Sequence, residues 1–295
     1  MRVFVTGATG FIGSAVVQEL MQAGHQVLGL TRSEAGAQSL TAAGAQVHPG
    51  HLEDLESLRS GAAAADAVIH TAFIHDFSKF QENCEIDWRA IQALGDALAG
   101  SDRLLMVSSG TGIGSGQGRL RTEDDPPVSS KVFPRAATEE AAESVASRRV
   151  RVAIMRLPQV HDTEKQGLVT YAVQMARQKG VSAFIGEGLN HWAAAHRFDT
   201  ARLYRLALEK GEGGVRYHAV AEEGVPTRDI AEAIGRGLRV PVVSMAPEDA
   251  AAHFGWLAAF VGLDIPASSA QTRERLGWNP AGPGLLSDLE NMRYT

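Results

Sequence analysis

Cysteine is almost missing: Cys84 stands alone in 295 residues. A single thiol forms no internal disulfide and no zinc site by itself, so both kinds of staple are excluded. Cys84 reads most simply as a buried or semi-buried small apolar side chain. Aromatic residues are scarce, at 6% of the chain. No apolar run reaches the roughly 18 residues of a membrane span. Positive charge is not in excess: the formal net charge is -6 and the basic residues are scattered, which argues against nucleic acid as the main partner. Met1 leads directly into a β-rich run, so no secretory signal is expected. A cytoplasmic protein with neither nucleic acid nor membrane as partner is expected. The remaining composition, 44% apolar and 21% charged, is ordinary for a globular protein. The length suits one large α/β domain or a core with a smaller lobe.

What is present is concentrated at the N-terminus. Arg2–Thr6 is a short apolar, β-rich run. Gly7-Ala-Thr-Gly10-Phe-Ile-Gly13 follows it, and then the periodic apolar segment Ala15–Met21. This is strand, glycine-rich turn and helix in succession, the context in which such a motif binds a dinucleotide. The first glycine permits a tight turn, the second lets backbone approach a pyrophosphate, and the third lets helix pack on sheet. Free N–H groups at the helix start then face the phosphates.

The first half continues to alternate. Strands are expected at Arg2–Thr6, Gln26–Leu30, Gln46–His48, Ala67–His70, Leu104–Val107 and Arg151–Arg156. Helices are expected at Ile12–Ala23, Glu34–Ala43, Leu52–Ala62, Phe77–Ala99 and Arg135–Ser147. This rhythm predicts an α/β fold with a doubly wound parallel sheet of Rossmann type, and a ligand crevice at the carboxyl ends of its strands. After Pro158 the rhythm loosens. Helices are expected at Gly167–Lys179, Thr200–Lys210, Thr227–Gly235 and Ser268–Trp278, with Thr227 as an N-cap. The loop Gly110–Gly118 has glycine at every second position. It reads either as a flexible surface loop or as a loop over the crevice, and it is not a P-loop.

Several segments resemble the extended short-chain dehydrogenase/reductase superfamily of the NAD(P)-dependent epimerase/dehydratase type. They are Thr6–Gly13, Val68-Ile-His-Thr-Ala72, Met106-Val-Ser-Ser109, Arg156-Leu-Pro158 with Val160, His196-Arg-Phe-Asp199 and Leu276–Pro280. The resemblance spans nearly the whole chain. It implies a dinucleotide-binding core at 1–157, with about 191–215 returning to it, and a discontinuous substrate lobe at 158–190 and 216–295. It implies cofactor contacts at Gly7, Thr9, Gly10, Phe11, Ile12, Gly13, Leu52, Thr71, Ala72, Phe73, Pro158 and Val160. Substrate contacts are expected at Thr111, His161, Asn190, Trp192 and His196. The helices Phe77–Ala99 and Arg135–Ser147 resemble the pair that forms a four-helix homodimer interface in the family. Ala136, Ala137, Ala141 and Ala142 suit that contact, or equally packing on the chain's own sheet.

The chain departs from the family at the catalytic helix. The resemblance leads one to look for Tyr-x-x-x-Lys with a glutamate four residues after the lysine. Anchoring on Glu139 puts Arg135 and Lys131 at the lysine and tyrosine positions; anchoring on Glu140 puts Ala136 and Val132 there. Neither register supplies a tyrosine. Asp87 stands in place of the usual asparagine of the preceding helix, and Ser109 keeps the upstream serine. The pattern resembles an atypical subgroup that retains the cofactor site and erodes the catalytic tetrad.

Cofactor choice is read from the second strand, which ends Leu30-Thr31-Arg32-Ser33 without a carboxylate. An acid there would bind the ribose of NAD; Arg32 instead suits the 2′-phosphate of NADP, with Ser33 adding a hydroxyl. NADP is therefore favoured over NAD. The catalytic candidates are Ser109, Lys131 as proton donor if burial lowers its pKa, and Arg135, which stays protonated and can only position or polarise. No spacing reads as a metal site. Two functions follow. One is an NADP-dependent oxidoreductase or epimerase-like enzyme acting on a small carbonyl or hydroxyl substrate with a non-standard proton donor. The other is an inactive NADP(H)-binding sensor or interaction protein.

Overall fold

The computed structural model describes residues 1–115, 118–210 and 212–294. In the first half β1 (Arg2–Thr6), α1 (Phe11–Gln22), β2 (Gln26–Thr31), α2 (Glu34–Ala42), β3 (Gln46–Pro49) and α3 (Leu55–Ala63) are followed by β4 (Ala67–His70), α4 (Phe80–Leu98), β5 (Leu104–Gly110), α5 (Ala137–Ala146) and β6 (Arg151–Leu157). Then come β7 (Gln159–His161), α6 (Val169–Lys179), β8 (Ser182–Ile185), β9 (His191–His196), α7 (Arg197–Lys210), β10 (Arg216–His218), β11 (Glu222–Pro226), α8 (Thr227–Leu238) and β12 (Val242–Met245). The chain ends with α9 (Ala250–Phe254), α10 (Ala258–Val261), α11 (Ala270–Leu276) and α12 (Leu285–Asn291).

Seven strands form the main sheet in the order β10-β6-β5-β4-β1-β2-β3. Every pairing is parallel. Helices cover both faces, which is why the central strands are continuous apolar runs: Val3, Phe4 and Val5 are wholly buried. One face packs on α1 and α7 through Val16, Leu20, Leu203 and Tyr204. The other packs on α3, α4 and α5 through Leu58, Ile91, Leu94 and Val145. The order reverses between β1 and β4, so the crevice opens at their carboxyl ends.

Local chemistry sets several boundaries. Asp54 accepts from Ser57 N at 3.0 Å, so α3 starts at Leu55 and not at Leu52. Asp76 caps a 3₁₀ turn over Phe77–Lys79 before α4. Thr227 is the first residue of α8 and not its cap; its hydroxyl donates to Asn190 Oδ1 at 2.6 Å. In the loop Gly110–Gly118, Thr111–Ile113 form a 3₁₀ turn, while Gly116 and Gln117 lie outside the described residues.

The second half interleaves with the core more than the segment boundaries anticipate. β9, expected in the core, lies instead in a three-stranded sheet with β11 and β7. β10, expected in the lobe, extends the main sheet beside β6. Leu276 and Trp278 pack into the main core, 3% and 2% exposed. The lobe proper has its own core around Val173, Ile230, Ile234, Phe254, Leu257 and Leu289. Ala136, Ala141 and Ala142 are buried within the chain itself, so their close packing is used on its own sheet. No helix among the described residues is long and apolar enough to cross a membrane.

Candidate active site

The β1–α1 turn is built from three glycines with different surroundings. Gly7 has φ +67°, and a Cβ there would lie 2.7 Å from Ala72 N. A Cβ on Gly13 would lie 2.0 Å from Gly7 O. Both are filled by the protein's own backbone. At Gly10 a Cβ would meet only Gly7 O, at 3.1 Å. Gly10 and Thr9 are exposed, and Phe11 and Ile12 half-buried. The space above Gly10 is thus left clear at the start of α1, where a pyrophosphate fits. Thr71 and Ala72 hold this turn to the end of β1: Thr71 Oγ1 donates to Thr6 O at 2.7 Å, and Ala72 N to Thr6 Oγ1 at 3.4 Å.

The other residues expected at the cofactor differ in their surroundings. Arg32 is exposed and forms no side-chain hydrogen bond or ion pair with any described residue. Ser33 is the N-cap of α2, accepting from Gly36 N at 3.1 Å. Leu52 is buried beside a cavity of about 230 Å³ shared with Glu53, Leu55, Ile86 and Arg89. Pro158 is half-buried. Val160 is only 3% exposed, so its side chain faces the protein interior. Arg197, inside the His196–Asp199 segment, and Lys165, which no motif marks, were not expected at the cofactor, yet both stand over Phe11. The Arg197 guanidinium lies 4.9 Å from the Phe11 ring and donates to Ser14 Oγ at 3.1 Å and Asp162 at 2.9 Å. The Lys165 ammonium lies 6.0 Å from the same ring. The packing of α7 against α1 brings Arg197 there, and the loop between β7 and α6 brings Lys165.

At the ends of β5 and β6 a buried ion pair fixes the register of the catalytic helix. Arg156 donates twice to Glu139, at 2.8 Å through Nε and 2.8 Å through Nη2. Both side chains are 0% exposed. Burial alone would raise the Glu139 pKa, but Arg156, Ser109 and Arg216 hold it below the usual carboxylate range. Glu139 is thus the buried glutamate of this helix, whereas Glu140 is half-buried and accepts from Ser130; a register anchored on Glu139 aligns Arg135 with the lysine and Lys131 with the tyrosine. Ser109 is buried and donates its hydroxyl to Glu139 at 2.8 Å. Its hydroxyl proton is directed at that carboxylate.

A second buried chain runs through Asp87. Arg135 donates to Asp87 at 2.7 Å, Thr138 at 2.5 Å, and the His70 ring lies 3.0 Å from its other oxygen. His70 in turn meets Thr6 Oγ1 at 2.7 Å. Burial would raise the Asp87 pKa; Arg135, His70 and Thr138 together keep it low. Arg135 also donates to Ser108 O at 3.1 Å and lies 4.1 Å over the Phe73 ring. Lys131 is exposed, with no ion pair among the described residues. The burial that its role as proton donor required is absent, because the turn at 131–132 projects into solvent.

The expected substrate residues are mostly sealed. His161 is 0% exposed and bonded through Nδ1 to Asp288 at 2.7 Å. Burial lowers its pKa, against the pull of Asp288 and Glu222. Trp192 is 3% exposed and donates to Leu263 O at 3.2 Å. Asn190 donates to Val261 O at 2.8 Å and Leu263 O at 3.0 Å. Asn190 and Trp192 therefore tether the 261–263 segment to β9, a structural task that consumes their polar atoms. Thr111 is 2% exposed. His196 and Asn190 are half-buried; the His196 ring lies 5.9 Å from that of His161.

Comparison with known proteins accords with this layout. The model of the NAD dependent epimerase/dehydratase family matches residues 3–221. An uncharacterised protein of Schizosaccharomyces pombe is 48% identical over 100% of both chains. One of Saccharomyces cerevisiae is 44% identical over 98% of both. The crystal structure of DesIV, a dTDP-glucose 4,6-dehydratase from Streptomyces venezuelae with NAD and TYD bound, superposes with a TM-score of 0.79 at 20% identity, covering 100% of this chain and 96% of that one. With the family model matched from β1 to the end of β10 and the fold shared over the full length, the protein belongs to the NAD dependent epimerase/dehydratase family.

Proposed function

We propose that the protein is an NADP-dependent oxidoreductase acting on a small carbonyl or hydroxyl compound, with a proton donor other than the family tyrosine. The observation that carries this reading is the contrast among the three glycines. Two are packed shut by backbone, and Gly10 alone faces clear space at the start of α1. Gly10, Phe11 and Ile12 would hold the pyrophosphate through backbone N–H groups, with Arg197 and Lys165 closing over it. Arg32 and the capped start of α2 suit a 2′-phosphate. The bound cofactor supplies or accepts the hydride.

The chain's own contribution is positioning and proton transfer. Arg135, fixed by Asp87 and Ser108 O, presents its remaining guanidinium N–H donors beside Phe73, where they would hydrogen-bond a carbonyl oxygen during reduction. Ser109, locked to Glu139, supports the strand end. His75 is the group we assign to the proton. Its ring lies 5.4 Å from Phe73 and keeps an exposed edge. Desolvation by the surrounding chain, then the Arg135 charge, hold its pKa below that of an ordinary histidine. A homodimer through α4 and α5 belongs to the same reading; Trp88 on α4 is 39% exposed, and sedimentation tests it. The experiment for the function is a screen of carbonyl and alcohol compounds by nicotinamide absorbance. Turnover supports the enzyme reading. Tight NADP(H) binding without turnover of any compound favours the sensor, for which the missing tyrosine and the Ser109 proton directed at Glu139 speak.

A further inference from the structure

The chain is poor in aromatic residues, yet seven aromatic side chains converge at one edge of this site. Phe73, Phe77, Phe80 and Phe133 come from the sheet side, and Tyr171, Trp256 and Phe260 from the lobe. The series starts at Phe73, under the Arg135 guanidinium. Phe80 lies 6.4 Å from Phe73 and 5.9 Å from Phe133. Phe260 meets Phe80 at 6.1 Å and Phe133 at 6.0 Å. Phe77 stacks on Trp256 with centroids 4.1 Å apart and planes 5° from parallel, and Tyr171 closes edge-on against Trp256 at 5.0 Å.

Burial separates this group from the core aromatics. Phe4, Trp192, Tyr204, Tyr217 and Trp278 are all 3% exposed or less. All seven members of the cluster are half-buried. None of the four phenylalanines from the sheet side belongs to a buried core cluster. Half-exposed rings gathered from distant segments are costly to leave against water unless another apolar surface covers them. They begin at the reaction centre, which names the occupant's location. His75 and Arg135 are the polar groups in contact with these rings. Arg135 is already paired with Asp87, so little charge is left there to hold a diphosphate.

We propose that this wall is the substrate site and that its substrate is a planar, apolar carbonyl compound, an aromatic or conjugated aldehyde or ketone, in place of a nucleotide-linked sugar. The inference rests on the oxidoreductase reading above. The compound's ring takes an offset or edge-on place among Phe73, Phe80 and Phe260, with its carbonyl toward Arg135. The Phe77–Trp256 stack joins the sheet side to the lobe and closes the far end of the wall.

The test measures binding and turnover separately on the full chain. Binding of 2-naphthol and of UDP-glucose to the NADP-loaded protein is followed by calorimetry. Turnover of 2-naphthaldehyde and of propanal is followed with NADPH. The expected results are binding of 2-naphthol, none of UDP-glucose, and a kcat/KM ratio that favours 2-naphthaldehyde over propanal. In Phe80→Leu, and independently in Phe260→Leu, that ratio should fall about tenfold, the factor that corresponds to one lost aromatic contact. Turnover of propanal without 2-naphthol binding overturns the wall and leaves the oxidoreductase reading standing. Binding of 2-naphthol, weakened in the variants, with no aldehyde reduced overturns the oxidoreductase reading and keeps the wall. UDP-glucose binding, or an unchanged ratio in both folded variants, overturns the inference.

Discussion

Arg135 donates to Asp87 across 2.7 Å, so the cation at the catalytic helix is neutralised by a carboxylate wholly buried in the neighbouring helix. Each side chain makes the other tolerable there. A buried carboxylate without its partner is strongly destabilising, and a pair broken on one side loses more than the pair contributes.

Asp87→Asn should therefore weaken the fold and not merely the chemistry. The loss expected is about 3 kcal/mol, the low end for a broken buried pair, since Arg135 keeps an edge to water. Urea unfolding followed by circular dichroism measures it. A variant as stable as the parent would mean that Thr138 and His70 hold the substituted amide equally well and that the Arg135 contact is dispensable.

Acid stability should carry the signature of Asp87 and Glu139. Both carboxyls sit below their ordinary pKa values in the folded protein. The unfolded chain thus binds their protons first, and the stabilisation is complete above the ordinary carboxylate range near 4. It is lost as pH falls from there through the depressed folded values. Glu139→Gln should be less stable at neutral pH and should show a flatter decline between about pH 5 and 2. Parallel acid limbs for parent and variant would refute the assignment.

The sheet was legible because each strand of the first half is a short apolar run bounded by turn residues, and the switch point follows from chain order. The glycine turn was legible for the same local reason. Position in the sequence singles out Ser109 and Arg135 as candidates, but not their partners: nothing near Ser109 announces Glu139, thirty residues on, as the acceptor of its proton. The lobe was the least legible. His161 and Trp192 carry polar atoms that suit a ligand, yet Asp288 and the Leu263 carbonyl, far along the chain, consume them. The aromatic wall escaped because its members come from four separate segments with no shared period.

The glycines of the first turn should separate fold from function. Gly13→Ala forces a Cβ to 2.0 Å from Gly7 O, so soluble, folded protein should be lost or its melting temperature sharply lowered. Gly10→Val meets only Gly7 O, at 3.1 Å, so it should lower the unfolding transition far less than Gly13→Ala, and it should lose NADP(H) affinity in calorimetry, since the added atoms would project into the proposed pyrophosphate site. Undiminished affinity in Gly10→Val would remove the cofactor from this turn.

Arg32→Ala should weaken NADP far more than NAD, by about 1.5–3 kcal/mol if one charged hydrogen bond is lost. The unmutated protein must prefer NADP for the argument to hold. Glu34, in the first turn of α2, is the nearest carboxylate in sequence and lies exposed beside this site. Equal affinity for both cofactors would assign Arg32 to solvent and leave the 2′-phosphate without a partner.

The proton for reduction separates two candidates by pH as well as by mutation. Lys131 is exposed and unpaired among the described residues, so Lys131→Met should keep the parent's turnover and cofactor affinity. His75 has a folded pKa below the ordinary 6.5 because of desolvation, Arg135 and Lys165. It is then mostly neutral at pH 7, and donation requires the protonated ring. The rate of carbonyl reduction should rise as pH falls through that depressed value, while alcohol oxidation, which needs the neutral ring as base, should fall over the same interval. His75→Gln should lower the rate by about 10²-fold, at the lower end of a general acid's contribution, and abolish this pH dependence. A pH profile that survives in His75→Gln, or a collapse of turnover in Lys131→Met, would transfer the proton to another group.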